Sequence, residues 1–562
     1  MASIDTLLTD HLDLWTSAIA RKSSAGRGRS GKFSLYGIEK LRALILDLAV
    51  RGKLVPQDPA DEHASAALER AEASDISGLK RGGAIARKKI GSGKADIAPS
   101  GWVLATISQI ASVQAGFAFK SNDFNEVGSG LPLIRIRDVG QTFTGTYYSG
   151  EYRDEFIVRD GDYLISMDGE FRISKWTGPR ALLNQRVARL IFKNEEIEKR
   201  FVAIALQKQL SKLQGVKAYT TVDHLSGKQI AETQIGFPPM AEQRRIVAKV
   251  DELMALCERL EAGTYEEFEA HQLLVTELLT TLTASRDADE LADNWARIEA
   301  HFHDLFITEG SVDQLRQTIL QLAVMGRLSR QLNSDDKSNQ RHQRPDDQAE
   351  EYDLKSFQAR AGLFPLPEEW LILPLSRVCT NIVDCPHTTP RWTAEGWICV
   401  KSDQVKPGLL DLTSPNYVSE ETFFERIERL EPQENDILYK REGGILGVAA
   451  RIPPNTRLCL GQRLMLVRAT SATLPEFLEL VLNSKWITEF AQAKTTGGAA
   501  PRVNMAIVRA FPIPVPPLSE QVRIINKVGE LMALCDAYSS MAKEAANLKI
   551  QIADAIATKA AG

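Results

Sequence analysis

Two kinds of hydrophobic pattern alternate along this chain. After Pro238-Pro239, apolar residues fall at Ile246, Val250, Leu253, Leu256 or Cys257, and Leu260. Steps of three and four place them on one narrow stripe of a helix. The stripe continues through Phe268, Leu274, Leu278 and Leu282, with Gly263 as a weak point. After Pro516-Pro517 the same spacing returns at Ile524, Val528, Leu531 and Leu534 or Cys535. Proline just ahead of a helix is tolerated, and Glu242 and Glu520 in the first turn suit the helix dipole. A helix unbroken from 240 to 282 spans ~65 Å at about 1.5 Å per residue. A duplicated stripe of that length is the pattern of a coiled-coil spacer more than of an ordinary core helix.

Between these helices the pattern changes. Residues 99–237 and 364–515 carry short apolar runs separated by Gly, Pro, Asn and Asp, as in 131–139, 161–167, 396–402, 435–440 and 463–469. Such runs predict strands, and 199–214 and 474–492 predict helices. The fold class expected is mixed α/β. Residues 58–100 pass from a short helix into a basic, Gly- and Ser-bearing stretch, and 331–362 is polar with few core formers. Both read as solvated linkers.

The chain repeats itself. LRALILDLAVRGKL (41–54) is answered by LRQTILQLAVMGRL (315–328), and PPMAEQRRIVAKVDELMALCERL (238–260) by PPLSEQVRIINKVGELMALCDAY (516–538), at offsets of 274 and 278. Gly101-Trp102 answers Glu369-Trp370, and Gln185-Arg186 answers Gln462-Arg463. Nearly equal offsets indicate one duplicated unit. The helical frame is kept while the roughly 140-residue inserts have diverged, as expected of two similar tools aimed at different targets. The boundaries expected are an N-terminal extension at 1–35, a helical segment and linker at 36–98, a first globular domain at 99–238, a central helical region and linker at 239–363, a second globular domain at 364–516, and a last helix at 517–562.

Composition adds limits. The chain has 562 residues, 44% hydrophobic and 25% charged, with a net charge of −5. Residues 101–240 hold 17 Lys and Arg against 15 Asp and Glu, and 370–517 hold 16 against 15. The inserts are near neutral, so a nucleic-acid surface must be a local cluster. No apolar run is long enough for a membrane span and no signal-peptide core is present, so a cytoplasmic location is expected. Six cysteines in such a length point to reduced, buried thiols. Cys379, Cys385, His387 and Cys399 lack the paired spacing of a zinc site. IGSGKAD (90–96) has Lys88 and Ala95 where a phosphate loop needs Gly and Ser or Thr. Asp346, Asp353 and Lys355 echo a nuclease signature but sit in a polar linker that cannot fix a metal. The three Pro-Pro pairs lack the flanking residues of an adenine methyltransferase loop. No metal site and no catalytic residue is expected.

The two PPxxEQxRI…KVxELMALC segments and the two LRxxILxLAVxGxL segments together resemble the conserved regions of the specificity subunit of type I restriction–modification systems. The resemblance extends over almost the whole chain. Residues 116–140 are similar to one recurrent type of target recognition domain. Residues 384–392 are similar to another, in which Gly is more usual at Cys385. The extension at 1–35 is outside the usual core. The resemblance implies two recognition domains separated by antiparallel coiled-coil-like helices with pseudo-twofold symmetry. Each domain would read half of a split site in double-stranded DNA, and the helices would set the gap and dock two methyltransferase subunits. It implies no cofactor in this chain: S-adenosylmethionine would belong to the methyltransferase partners, and ATP and Mg²⁺ to motor–nuclease partners. Service to a modification-only complex, or a coiled-coil scaffold without a DNA role, are the rival readings.

DNA reading needs side chains that reach groove edges or phosphates. In the first domain the candidates are Lys120, Ser121, Arg135, Arg137, Arg172, Lys175 and Arg186. In the second they are His387, Thr388, Arg391, Lys401, Lys440, Arg441, Arg463 and Arg502. For any one of them a solvated surface charge is an equal alternative.

Overall fold

The computed structural model describes residues 4–21, 33–73, 99–215, 224–286, 288–329, 366–367, 369–442, 446–494 and 502–561. Most of both predicted linkers, including the 90–96 stretch and Asp346 to Lys355, lies outside the described residues. Two compact units share the chain: residues 1–266 with 546–562, and residues 267–545. Four helices form the frame: α1 (Tyr36–Val50), α2 (Met240–Ala284), α3 (Glu309–Val324) and α4 (Leu518–Ala561). The first unit holds α1, the start of α2 and the end of α4, and the second holds α3, the start of α4 and the end of α2. Helix α2 runs through Gly263, whose exposed position costs about 1 kcal/mol relative to alanine and does not break 45 residues of helix.

Much of the predicted stripe is buried, in a mixed core, but Leu274 is exposed and Val275 and Leu279 take the inner face beside Leu282. Ile246, Val250, Leu253 and Cys257 share a cluster with Ile38, Leu41 and Ile45 of α1, Ala553 and Ala557 of α4, and the insert's Phe201 and Phe237. In the second unit Ile524, Val528 and Cys535 cluster with Val312, Leu315 and Ile319 of α3 and with Val275, Leu279 and Leu282 of α2. Each long helix thus begins as the core helix of a globular unit, which the stripe alone did not separate from a helix-on-helix seam. The N-terminal extension belongs to the first core. Helices Ile4–Asp10 and Leu12–Ser17 bring in Ile4, Leu8 and the fully buried Trp15. A Cβ on Gly37 would lie 2.3 Å from the Trp15 carbonyl oxygen, so only glycine lets α1 start there.

Both inserts share a topological core, although the second sheet has five strands in the first insert and four in the second, which adds a separate two-stranded hairpin. Each opens and closes with an antiparallel pair: Val103–Thr106 with Gln234–Phe237, and Leu371–Pro374 with Pro512–Val515. Each has a four-stranded antiparallel sheet. In the first insert its order is Ile173–Lys175, Tyr163–Ser166, Val187–Phe192, Ala111–Ala115. In the second it is Val448–Arg451, Ile437–Lys440, Leu464–Ala469, Cys379–Asp384. A further sheet in each contains one parallel pair, Leu131–Ile134 with Ala181–Leu183 and Trp397–Val400 with Leu458–Leu460. The helix predicted over 474–492 is two helices, Pro475–Asn483 and Lys485–Ala493. Ser484 between them is extended and buried, and its hydroxyl donates to the Val481 carbonyl at 2.6 Å.

The duplicated motifs tie frame to insert. Trp102 donates its indole N–H to the buried Glu242 carboxylate at 3.0 Å, and Trp370 donates to Glu520 at 2.9 Å. Gln243 donates to the Pro238 carbonyl and accepts from the Glu198 N–H; Gln521 donates to Pro516 and accepts from Leu474. The Glu-Gln pair therefore fastens the start of each long helix to its domain. The basic residue of the other motif serves the opposite helix ends. Lys53 donates to the Ala561 carbonyl at 3.2 Å, and Arg327 to the Thr283 carbonyl at 3.0 Å. A cation suits the open carbonyls and negative pole of a helix C-terminus. In the first unit Lys40 of α1 pairs with Asp554 of α4, and in the second Gln314 of α3 bonds Thr276 of α2. These positions match at the sequence offsets of 274 and 278.

Candidate nucleic-acid interface

In the first domain the candidates lie on turns and strand ends. Lys120 and Ser121 are exposed at the tight turn Ser121–Asp123. Arg135 and Arg137 flank Ile136 in the turn closed by Asp138, whose buried carboxylate accepts from the Arg135 and Thr144 N–H groups at 2.8 Å each. Arg137 donates to Thr144 at 2.9 Å and Thr146 at 3.1 Å, which fixes its guanidinium. Arg172 pairs with Glu170, and Lys175 is exposed at a strand end. Arg186 Nη1 forms an ion pair with Asp168 at 2.9 Å and lies 3.4 Å from His224 Nδ1, and the same carboxylate accepts from His224 Nδ1 at 2.6 Å.

In the second domain the loop from Asp384 to Trp392 is braced from below. Arg441, with a side chain only 5% exposed, grips Asp384 at 3.0 and 2.5 Å and also donates to the Val503 carbonyl. Buried Arg426 donates to the Thr388 and Leu460 carbonyls. Gln462 donates to the His387 carbonyl and the Thr389 hydroxyl. These bonds leave the His387, Thr388 and Arg391 side chains exposed, with His387 Nε2 3.2 Å from Asp384. Lys401 sits 4.4 Å from the Trp392 ring centroid, a cation–π contact that anchors the loop's end. Arg463 and Arg502 are exposed.

Lys440 and Arg441 are expected above among the DNA-reading residues, and the fold buries both. Burial lowers the Lys440 ammonium pKa, and Arg441 is committed to Asp384 as a strut. Sequence reasoning missed the supporting residues Asp168, His224, Asp384, Arg426 and Glu442. Of these, Asp168 and Glu442 have a sequence signal, because they stand 274 residues apart, the offset of the first repeated motif. All six cysteines are buried and free. Among the described residues no cluster could hold a metal ion, and no helix is long and apolar enough to cross a membrane.

Residues 99–270 and 398–539 match the family described as the type I restriction modification DNA specificity domain. The chain is 30% identical to the type I restriction enzyme EcoEI specificity subunit of Escherichia coli, over 99% of both chains. It is also 30% identical to the EcoAI specificity subunit of the same organism, again over 99% of each. Among solved structures it is similar to the HsdS subunit from Thermoanaerobacter tengcongensis, with 16% identity, a TM-score of 0.38, and coverage of 82% of this chain and 97% of that one. With its duplicated frame and two inserts built on the same four-stranded sheet order, this chain belongs to the family of type I restriction–modification specificity subunits.

Proposed function

We propose that this chain reads a split sequence in double-stranded DNA, one half per insert, and delivers catalytic partners to it while catalysing nothing itself. The observation that carries this reading is a shared topological core with different exposed loops. Both inserts share the order of their four-stranded sheet and their frame contacts, but their exposed polar groups differ, with Lys120, Ser121 and Arg137 in one and His387, Thr388 and Arg391 in the other. Evolution under a shared task with two targets gives that result.

The partners are two methyltransferase subunits that bind S-adenosylmethionine and methylate adenine, joined by motor–nuclease subunits that use ATP and Mg²⁺. The complex works in the cytoplasm. The test is a map of N6-methyladenine in the source cell's genome with and without the gene. Loss of one split motif supports the reading, and a chimera exchanging residues 364–515 then alters one half of that motif. If every methylated motif survives deletion, the reading fails.

A further inference from the structure

We propose that Arg186 and Arg463 are equivalent base-reading residues, one per domain, and that Asp168 is the positioning residue that aims Arg186 at the edge of a guanine. This rests on the DNA-reading role proposed above and gives it a specific site.

The placement repeats closely. In the first domain Ser166 pairs with Val187 at the end of two neighbouring antiparallel strands. Asp168 stands two residues past the first of these and Arg186 one residue before the second. In the second domain Lys440 pairs with Leu464, which puts Glu442 and Arg463 at the same steps. The third member also recurs: Asp168 forms an isolated backbone bridge with His224, and Glu442 forms one with Arg502. Each domain thus places a carboxylate, a strand-start arginine and a further nitrogen-bearing residue at matching backbone steps, and in the first domain the Asp168, Arg186 and His224 side chains meet. The rigid sheet holds the first two, as a precise reading geometry requires.

Three observations point to a ligand. Arg186 binds Asp168 through Nη1 alone, and its side chain is 53% exposed. Among the described residues Nη2 and Nε make no hydrogen bond. In the second domain Glu442 Oε1 is buried and accepts no hydrogen bond among the described residues, although it lies 3.2 Å from Arg441 Nη2. Arg463 has φ +68°, while the other non-glycine residues at positive φ are Asn435 and Asn455. Asparagine tolerates that region, whereas an arginine held there carries strain of the kind found at functional sites.

The carboxylate also separates two kinds of DNA contact. An arginine that neutralises phosphates works best with no anion beside it, because its net positive charge displaces counterions. Asp168 cancels much of that charge and fixes one edge of the guanidinium. What remains is a directional donor, suited to the acceptors O6 and N7 of guanine in the major groove.

The experiment compares Arg186→Gln, Arg186→Lys, Arg463→Gln, Asp168→Asn and Asp168→Glu in the assembled methyltransferase complex. Methylated motifs are read by sequencing, and the salt dependence of binding is measured on a DNA duplex carrying the wild-type motif. The wild-type map comes first: if no split motif depends on the chain, the DNA-reading role itself fails. If the motif is present, Arg186→Gln is expected to relax one guanine-containing position in one half by on the order of 10- to 100-fold. Arg463→Gln does the same in the other half, Asp168→Asn shows a weaker form of the Arg186 effect, and Asp168→Glu restores it. The salt slope stays at its wild-type value. Unchanged motifs in the arginine variants overturn the inference. So does uniform weakening with a salt slope reduced by about one, the mark of a phosphate contact. If Arg186→Gln abolishes methylation altogether, Arg186→Lys and the salt slope decide between the same two results.

Discussion

The indole of Trp102 occupies the space that a side chain on Gly52 would need: a Cβ there would lie 2.9 Å from the ring and 2.7 Å from Pro99. Gly326 faces Trp370 and Pro367 in the same way, at 3.0 and 2.6 Å. Both glycines have positive φ, +67° and +71°, the left-handed conformation that ends a helix. Gly52→Ala and Gly326→Ala are each expected to destabilise their unit by more than about 1 kcal/mol. Thermal melting checks this, and an unchanged midpoint in both variants would contradict it.

The Trp102–Glu242 bond predicts a dependence on pH. Burial pushes the Glu242 carboxyl above its usual value of 4.5, against the lowering influence of Trp102 and Arg245. The unfolded chain therefore ionises this group first, and its contribution to stability falls as pH rises from 4.5 through the folded-state value. Glu242→Gln keeps an acceptor for the indole and removes the ionisation. The stability of the wild type relative to this variant should decline across that window. Melting curves at a series of pH values that stay parallel would refute the assignment.

Trp15 anchors the N-terminal extension from a fully buried position. Trp15→Ala is expected to cost about 3–5 kcal/mol, the range for emptying an aromatic core site. Urea unfolding measures it. A loss under about 1 kcal/mol would mean that the extension is dispensable to the core.

Asp384 partners the nearly buried Arg441 under the loop that runs from Asp384 to Trp392. Asp384→Ala removes the closer of two carboxylates beside that guanidinium, leaving Glu442 at 3.2 Å, so the expected loss is at most about 3–5 kcal/mol, the cost of a broken buried pair. Hydrogen exchange should speed up around residues 384–392 and 437–442 while residues 103–192 keep their protection. Equal protection in both domains would argue against the strut.

The thiols offer a simple count. Burial raises the pKa of Cys257, Cys379 and Cys385 and pushes Cys535 up to about 11. Buried, protonated thiols react slowly. A chromogenic disulfide reagent should titrate almost none in the native protein and all six after denaturation. Rapid reaction of two or more in the native state would count against this packing.

The repeat, the long helices and the alternation of frame and insert were legible in the sequence because periodicity and offset survive without side-chain detail. The roles inside the motifs were not. Glu242, Gln243, Gly52 and Lys53 sit in two segments about 190 residues apart, and each acts through a residue elsewhere: Trp102, Glu198 or Ala561. Exposure was equally hidden, since Lys440 and Arg441 follow an apolar run that could have delivered them to either face of the sheet. The fold decided by pairing Ile437–Lys440 between two neighbours and laying Asp384 beside Arg441.

The end of α4 has a bearing on the order in which this protein is finished. Arg51 and Lys53 wait for the Ala561 carbonyl, Tyr36 and Lys40 for the Asp554 carboxylate, and the first core for Ala553 and Ala557. Those partners lie more than 500 residues downstream of the groups that await them. The unit whose synthesis begins first is therefore completed only after the second unit has been made, and translation halted before Ala553 leaves the first core unfinished.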